Sequence, residues 1–403
     1  MTDSRYWNEE AQTMPLDRLR QLQDERLRQA VAQAWERSPF FRTRWVRAGA
    51  SPDDVKQVGD LAALPTFCKQ DLRDDEARHP PIGTYRCVGL SGAVRLATSS
   101  GTTGRPTFTL WTQSDLQVEY ELAARAHWRE GIRPGDVVVN AHPGYLNGGQ
   151  GHAAGAYAHM GVLAICVGPP ESEAYAERVV RTLEGLPIDH WRLFPAALAR
   201  YREAAGRAGV ALRLPPPEHA GPAAQHRKIS AGQECVAYLG SACDHDAGAH
   251  LAEDLAVVEA LALDRDEPAE PGERGRLVVT SLGRDNPMIR YDLQDVVRID
   301  ATKCPCGETS RRAFWDGRTK DLVPVAGRAV LPIDVWWDLA PDAEYVLVRR
   351  PDQDRLEVRL EGPLPADLSA RLTDRIGVPI TVTSLPDGTL ARSGYKAVRV
   401  VDE

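Results

Sequence analysis

The sequence predicts an α/β protein with three parts: a large region of alternating strands and helices, a smaller β-rich part, and a short α+β unit at the C-terminal end. Three observations carry this reading. From about residue 94 to residue 208, short apolar runs bounded by glycine and proline alternate with segments of helical periodicity. Between 275 and 300 lie two further strand-like runs, GRLVVTSLG and VVRID. After residue 320, an alternating stretch, a helical stretch and one more strand close the chain.

In chain order, Leu16, Leu19, Leu22, Leu27, Val31 and Ala34 recur at helical spacing with charges between them, which predicts an amphipathic helix over 16–36. Pro39 ends it, because proline cannot continue the hydrogen-bond ladder. A second charged helix follows within 60–74. VRLATSSGTTGRPTF reads as strand, loop, strand, and GDVVVNAHPG and GVLAICVGPP read as buried strands of a largely parallel sheet. Residues 174–184 and 195–208 read as helices, and 213–224 as a proline-rich connection. In the last part, EYVLVRRPDQDRLEVRLEG alternates like a hairpin, ADLSARLTDRIG reads as a helix and ITVTSLP as a strand.

The chain has 403 residues, 49 Lys plus Arg and 57 Asp plus Glu, a formal charge of −8. That balance argues against nucleic acid as the main partner, since phosphate backbones are held by surplus basic residues. No apolar run reaches the roughly 18 residues of a membrane span. The first residues lack the basic-then-apolar plan of a signal peptide, so a cytoplasmic chain is expected. In that compartment seven cysteines are thiols or metal ligands rather than a disulfide framework.

The most informative stretch is Ser99-Ser100-Gly101-Thr102-Thr103-Gly104-Arg105-Pro106-Thr107, with five hydroxyls, two glycines and one cation in nine positions. Glycines let backbone N–H groups approach a ligand, hydroxyls donate to anionic oxygens and the cation balances charge, a combination suited to a polyphosphate. It is not a Walker loop, which needs Gly-Lys-Ser/Thr.

This loop resembles the phosphate-binding loop of the adenylate-forming ligases, and more narrowly that of the phenylacetate–coenzyme A ligase branch. The same branch is matched by Tyr6-Trp7-Asn8-Glu9-Glu10, Leu64-Pro65-Thr66-Phe67-Cys68-Lys69-Gln70-Asp71-Leu72-Arg73, Met288-Ile289-Arg290-Tyr291-Asp292-Leu293-Gln294-Asp295, Gly317-Arg318-Thr319-Lys320-Asp321 and Ala391-Arg392-Ser393-Gly394-Tyr395-Lys396. The resemblance implies a composite adenylation domain over 1–319 and a mobile lid over 320–403, hinged at Lys320. It implies that Ser99, Ser100, Gly101, Thr102, Thr103, Gly104 and Arg105 hold the phosphates of ATP, with Arg105 where the family usually has lysine. Asp295 and Arg318 are then the ribose contacts and Lys396 the catalytic lysine. The uncharged segment around Tyr145, Asn147, Gly148, Gly149 and Gln150 is similar to the helix entry lining the acyl pocket. There glycines leave room for a flat ring and Tyr145 can stack on it. His142 and His152 nearby read more readily as satisfied structural histidines than as bases.

Cys304-x-Cys306 before a glycine can aim two thiolates at one metal, and Cys243 and His250 supply a further thiolate and an imidazole. Three thiolates and one imidazole make a closed, structural zinc site, with His245 and Cys235 as the substitutes. The family's Tyr-Gly-x-Ser/Thr-Glu motif, whose glutamate helps bind Mg2+, is absent where Ala237-Tyr238-Leu239-Gly240-Ser241-Ala242-Cys243 stands. Either Cys243 takes the glutamate's position or the loop is shortened, and the shortened loop is preferred because it keeps Cys243 beside His250. Mg2+ then needs phosphates, water and another carboxylate, with Glu253 and Asp254 as candidates.

The implied activity is ATP-dependent adenylation of an aromatic carboxylic acid followed by acyl transfer to coenzyme A. The competing readings are transfer to an amine or hydroxyl acceptor, and a non-catalytic relative that binds nucleotide or aryl acid. The implied partners are small molecules, with no membrane and no nucleic acid, and a homodimer is compatible with the sequence.

Overall fold

The computed structural model describes residues 4–99, 106–142, 149–193, 195–215, 228–245, 247–340, 343–390 and 398–403. The chain forms two compact units. The first comprises Met1–Leu293 and Arg298–Phe314, the second Gln294–Val297 and Trp315–Glu403. The expected division between 319 and 320 thus falls inside the second unit. Among the described residues, no helix is long and apolar enough to cross a membrane.

In the first unit the helix Leu16–Arg37 buries Leu19, Leu27, Val31 and Ala34 on one face. Pro39 does stop it, and also begins the next helix, Pro39–Arg47. Proline fits the first helical position because its missing N–H has no partner there, and Ser38 caps the same end by accepting from the Phe41 N–H. The charged helix of the 60–74 region is Lys69–Arg78.

Three parallel strands lie in the order Leu163–Cys166, Val137–Asn140, His190–Arg192. The central strand is buried, but Leu163–Cys166 is not: it stands at one side of the sheet, and Leu163 is 60% exposed. The expectation of two buried strands is corrected here. An apolar run does not distinguish a central strand from an edge strand. The helices Glu173–Leu183 and Pro195–Ala208 pack together against this sheet through Ala176, Val180, Leu183, Tyr201 and Ala204.

A second sheet holds Ala256–Leu261, Arg274–Ser281, Tyr291–Asp300, Arg312–Arg318, Ala249–Leu251, Gly240–Ala242 and Lys228–Ile229 in that order. Tyr291–Asp300 and Arg312–Arg318 contribute residues to both units.

The helix Gln113–Arg129 is absent from the sequence reading, although Thr112-x-x-Asp115 is a capping box that announces it. Its burial is carried by charge as much as by apolar contact. Glu119 pairs with Arg284, and Arg129 pairs with Glu308. Arg125 forms two parallel bonds of 2.8 Å to Asp254. Glu121 receives the Trp7 indole at 2.8 Å and the Asn8 amide at 2.9 Å, fastening the N-terminal segment to the helix.

The second unit contains a four-stranded sheet in the order Ile380–Leu385, Leu356–Glu361, Tyr345–Arg349, Val400–Asp402, with the helix Leu368–Ile376 and the hairpin Val323–Val325, Arg328–Val330. The predicted alternation is met: Leu356, Val358 and Leu360 are buried while Glu357, Arg359 and Glu361 are only partly covered. Gly377 ends the helix in the left-handed conformation at φ 74°, which glycine adopts without strain.

Arg125→Ala leaves the Asp254 carboxylate buried without its cation. The expected loss is about 3–5 kcal/mol, read as a lower urea midpoint with an unchanged m-value.

Candidate functional site

The predicted loop is carried by two antiparallel strands, Arg95–Thr98 and Phe108–Trp111, paired Thr98 to Phe108 at the loop end. The neck beyond them is closed by hydroxyl chemistry. The Ser99 N–H donates to the Thr107 carbonyl at 2.9 Å. The Thr107 N–H and hydroxyl donate to Ser99 Oγ at 3.1 and 3.2 Å. Ser99 therefore accepts twice inside the protein and keeps its own proton to donate. Ser100, Gly101, Thr102, Thr103, Gly104 and Arg105 lie outside the described residues. The returning strand is anchored by Glu76, which is buried and takes the Phe108 N–H at 3.2 Å, the Tyr85 hydroxyl at 2.8 Å and Arg86 at 3.0 Å.

Asp295 and Arg318, 23 residues apart in the sequence, come together in the second unit, with Nε of Arg318 3.4 Å from the carboxylate. Asp295 is buried and Arg318 about half exposed. Gln294, just before Asp295, has φ 59°, and Arg290 has φ 58°. Both are non-glycine residues in the left-handed region, a costly conformation that persists only when the surroundings hold it. Arg290 is held by Glu259 through bonds of 3.1 and 2.9 Å and by the Leu64 carbonyl at 2.6 Å. Lys320 is exposed in the short helical turn Thr319–Asp321.

Lys396, Tyr145, Asn147 and Gly148 lie outside the described residues. Gly149 and Gln150 open the helix Gly149–Met160, and the Gln150 side chain is outside the described set.

The four predicted metal ligands converge. One ligand atom from each of Cys243, His250, Cys304 and Cys306 lies within 4.8 Å of every other, and all four residues are buried. Sγ of Cys243 and Cys304 are 3.7 Å apart, and Cys306 Sγ is 3.3 Å from His250 Nε2. A tetrahedral zinc ion with Zn–S of about 2.3 Å and Zn–N of about 2.0–2.1 Å places two sulfurs about 3.8 Å apart, and a sulfur and a nitrogen about 3.6 Å apart. These two separations are close to those of a zinc cage. The other ring nitrogen of His250 faces the Ser310 carbonyl at 3.3 Å, the outer partner that orients a ligating imidazole. Burial pushes the Cys306 thiol up to about 12, a cost that a bound cation reverses by stabilising the thiolate. The two substitutes are elsewhere: His245 is exposed beside Arg5, and Cys235 is buried beside Arg284.

Glu253 and Asp254, the expected Mg2+ candidates, both face arginines. Glu253 is held by the Arg311 N–H at 2.8 Å and its Nε at 2.7 Å, and Asp254 by Arg125. The segment that replaces the family's glutamate motif enters the sheet as Gly240–Ala242. There Gly240 is pressed so close to the His250 carbonyl that a Cβ would stand 2.8 Å from it.

No family model matches the chain. It is 29% identical to the phenylacetate–coenzyme A ligase of Thermus thermophilus, over 98% of each chain. It is 27% identical to the phenylacetate–coenzyme A ligase of Escherichia coli, over 97% of this chain and 96% of that one. A crystal structure of 2-hydroxyisobutyryl-CoA ligase in the postadenylation state, in complex with 2-HIB-AMP, superposes with a TM-score of 0.82 at 25% identity, covering 100% of this chain and 93% of that one. An open conformation of that ligase, in complex with 2-HIB-AMP and CoA, gives 0.76 at 26% identity, covering 100% and 95%. With the ordered motifs, this full-length likeness makes the chain similar from end to end to ligases of the adenylate-forming superfamily, and most narrowly to phenylacetate–coenzyme A ligases.

Proposed function

We propose that the acid taken by this AMP-forming acid–coenzyme A ligase is aromatic. The carboxylate attacks the α-phosphate of ATP, pyrophosphate leaves, and the acyl group passes from AMP to the thiol of coenzyme A. The observation that carries the reading is the hairpin loop closed at its neck by Ser99 and Thr107. Its hydroxyls, glycines and Arg105 match the charge and oxygen pattern of a departing pyrophosphate. Asp295 accepts the ribose hydroxyls and Arg318 steadies it. The segment 320–403 acts as a lid that turns about Lys320, whose exposed position lets the backbone rotate without losing packing. The lid brings Lys396 to the carboxylate and the α-phosphate. Tyr145, Asn147, Gly148, Gly149 and Gln150 line the acyl pocket, and an aromatic acid is supported by the relatives named phenylacetate–coenzyme A ligase. Mg2+ is held chiefly by the phosphates and water, since Glu253 and Asp254 are engaged. Cys243, His250, Cys304 and Cys306 hold a structural Zn2+ with no open position for catalysis.

Exchange of labelled pyrophosphate into ATP is expected with a member of a panel of benzoic and phenylacetic acids. Exchange with none of them, despite tight ATP binding, identifies a binding-only relative. Lys396→Ala is expected to lower the exchange rate by about 100-fold or more, and unchanged exchange contradicts its role. Asp295→Ala is expected to raise KM for ATP by about 10-fold or more with a smaller effect on kcat. AMP release that depends on coenzyme A identifies the acceptor, and release driven instead by an amine or hydroxyl compound replaces it.

Elemental analysis of chelator-washed protein is expected to find one zinc per chain. Cys304→Ser is expected to lose that zinc and to melt at a lower temperature. Absence of stoichiometric zinc from the unaltered protein rejects the metal site.

A further inference from the structure

His152 lies three residues after Gly149 on the helix Gly149–Met160, a spacing that places both on one helix face. It departs from the satisfied structural histidine expected from the sequence at one ring nitrogen: Nδ1 has no partner among the described residues, while Nε2 faces the Glu119 carboxylate at ion-pair distance. The residue is 4% exposed. The nearest carboxylate oxygen, on Glu119, is 3.6 Å from Nε2, too long for a hydrogen bond. Glu119 is already engaged by Arg284 and by the Ala237 N–H at 3.1 Å.

Two further polar groups in the same place are in the same condition. The Trp111 ring is 4.8 Å from the His152 ring, centroid to centroid, and its buried indole N–H has no partner. Arg95 is the direct cross-strand neighbour of Trp111. One of its terminal nitrogens donates to the Tyr120 hydroxyl at 3.1 Å, while Nη1 is buried and unpartnered. The guanidinium lies against the helix at Gly151, where an added Cβ would stand 3.6 Å from its central carbon. A buried polar group left unsatisfied keeps the whole cost of its desolvation, so three together point to a missing partner. Arg and Trp side chains only donate, so the partner must accept.

We propose that Arg95, Trp111 and His152 receive a hydrogen-bond-accepting oxygen of the substrate acid, separate from the carboxylate that is activated. The acid is then an oxygen-substituted aromatic acid, hydroxylated or bearing a second carboxylate, rather than a plain hydrocarbon one. This inference rests on the ligase reading and on the placement of the acyl pocket at the start of the helix Gly149–Met160.

The test is pyrophosphate exchange by the full chain with phenylacetate and its 3- and 4-hydroxy, carboxy and methyl derivatives. One oxygen-bearing acid is expected to exceed its methyl counterpart by about 10-fold or more in kcat/KM, because a site built to bond an oxygen penalises an analogue that lacks it. Trp111→Phe removes the N–H and keeps a ring, and His152→Phe removes both ring nitrogens. Each is expected to bring that ratio down towards one. If either variant fails to fold by circular dichroism, Arg95→Gln reports in its place. Methyl acids equal to or better than their oxygen-bearing counterparts at both positions overturn the proposal. So does a ratio unchanged by the variants, which leaves the three groups to an ordered water. Exchange with phenylacetate but without discrimination defeats this inference alone. No exchange with any acid defeats the ligase reading, and this inference with it.

Discussion

The first unit depends on charge buried along one helix. Gln113–Arg129 carries Glu119 against Arg284, Arg125 against Asp254 and Arg129 against Glu308, with all six side chains at least nine-tenths buried. Charges taken out of water are costly, and losing one partner strands the other in low dielectric. The arrangement therefore tolerates few alternatives: the helix must meet the segments holding Asp254, Arg284 and Glu308 in one register or leave several charges unpaired. An apolar face of the same area can slide, whereas this one cannot without breaking bidentate bonds.

Two functional features hang from that helix. Its first turn is capped at Thr112, directly after the strand Phe108–Trp111 that follows the glycine and hydroxyl loop, and Asp115 accepts the Asp285 N–H at 2.9 Å. Its last turn reaches Glu308, two residues beyond Cys306, so the helix positions the cysteine-bearing loop. The N-terminal segment is tied to the same place, with the Tyr6 hydroxyl on the Cys306 carbonyl and Trp7 and Asn8 on Glu121. A metal ion held by Cys243, His250, Cys304 and Cys306 would close a knot of contacts that already joins both ends of the first unit.

The missing glutamate motif has a structural reading. In the segment Ala237–Cys243, Gly240 and its neighbours bring one strand tightly onto the next, and Cys243 beside His250. The two acidic residues that follow stabilise arginines instead. Glu253 is held by Arg311 and Asp254 by Arg125.

Much of this was legible in the sequence, because it rests on local chemistry. A glycine and hydroxyl loop between two apolar runs, the alternation of Leu356, Val358 and Leu360, and the stop at Pro39 are decided by residues a few positions apart. The four residues of the thiol and imidazole cluster were legible by type, since thiolates and imidazoles suit a closed zinc cage. What the sequence could not decide was proximity between distant residues. His250 rather than His245, the exposed edge at Leu163, the pairing of Arg125 with Asp254 and the unpartnered Nδ1 of His152 all follow from packing of segments well separated along the chain. The sequence alone determined which chemistries were present and which short elements would form. Tertiary structure decided which charges, thiols and rings meet, because desolvation and hydrogen bonding depend on neighbours that no local pattern specifies.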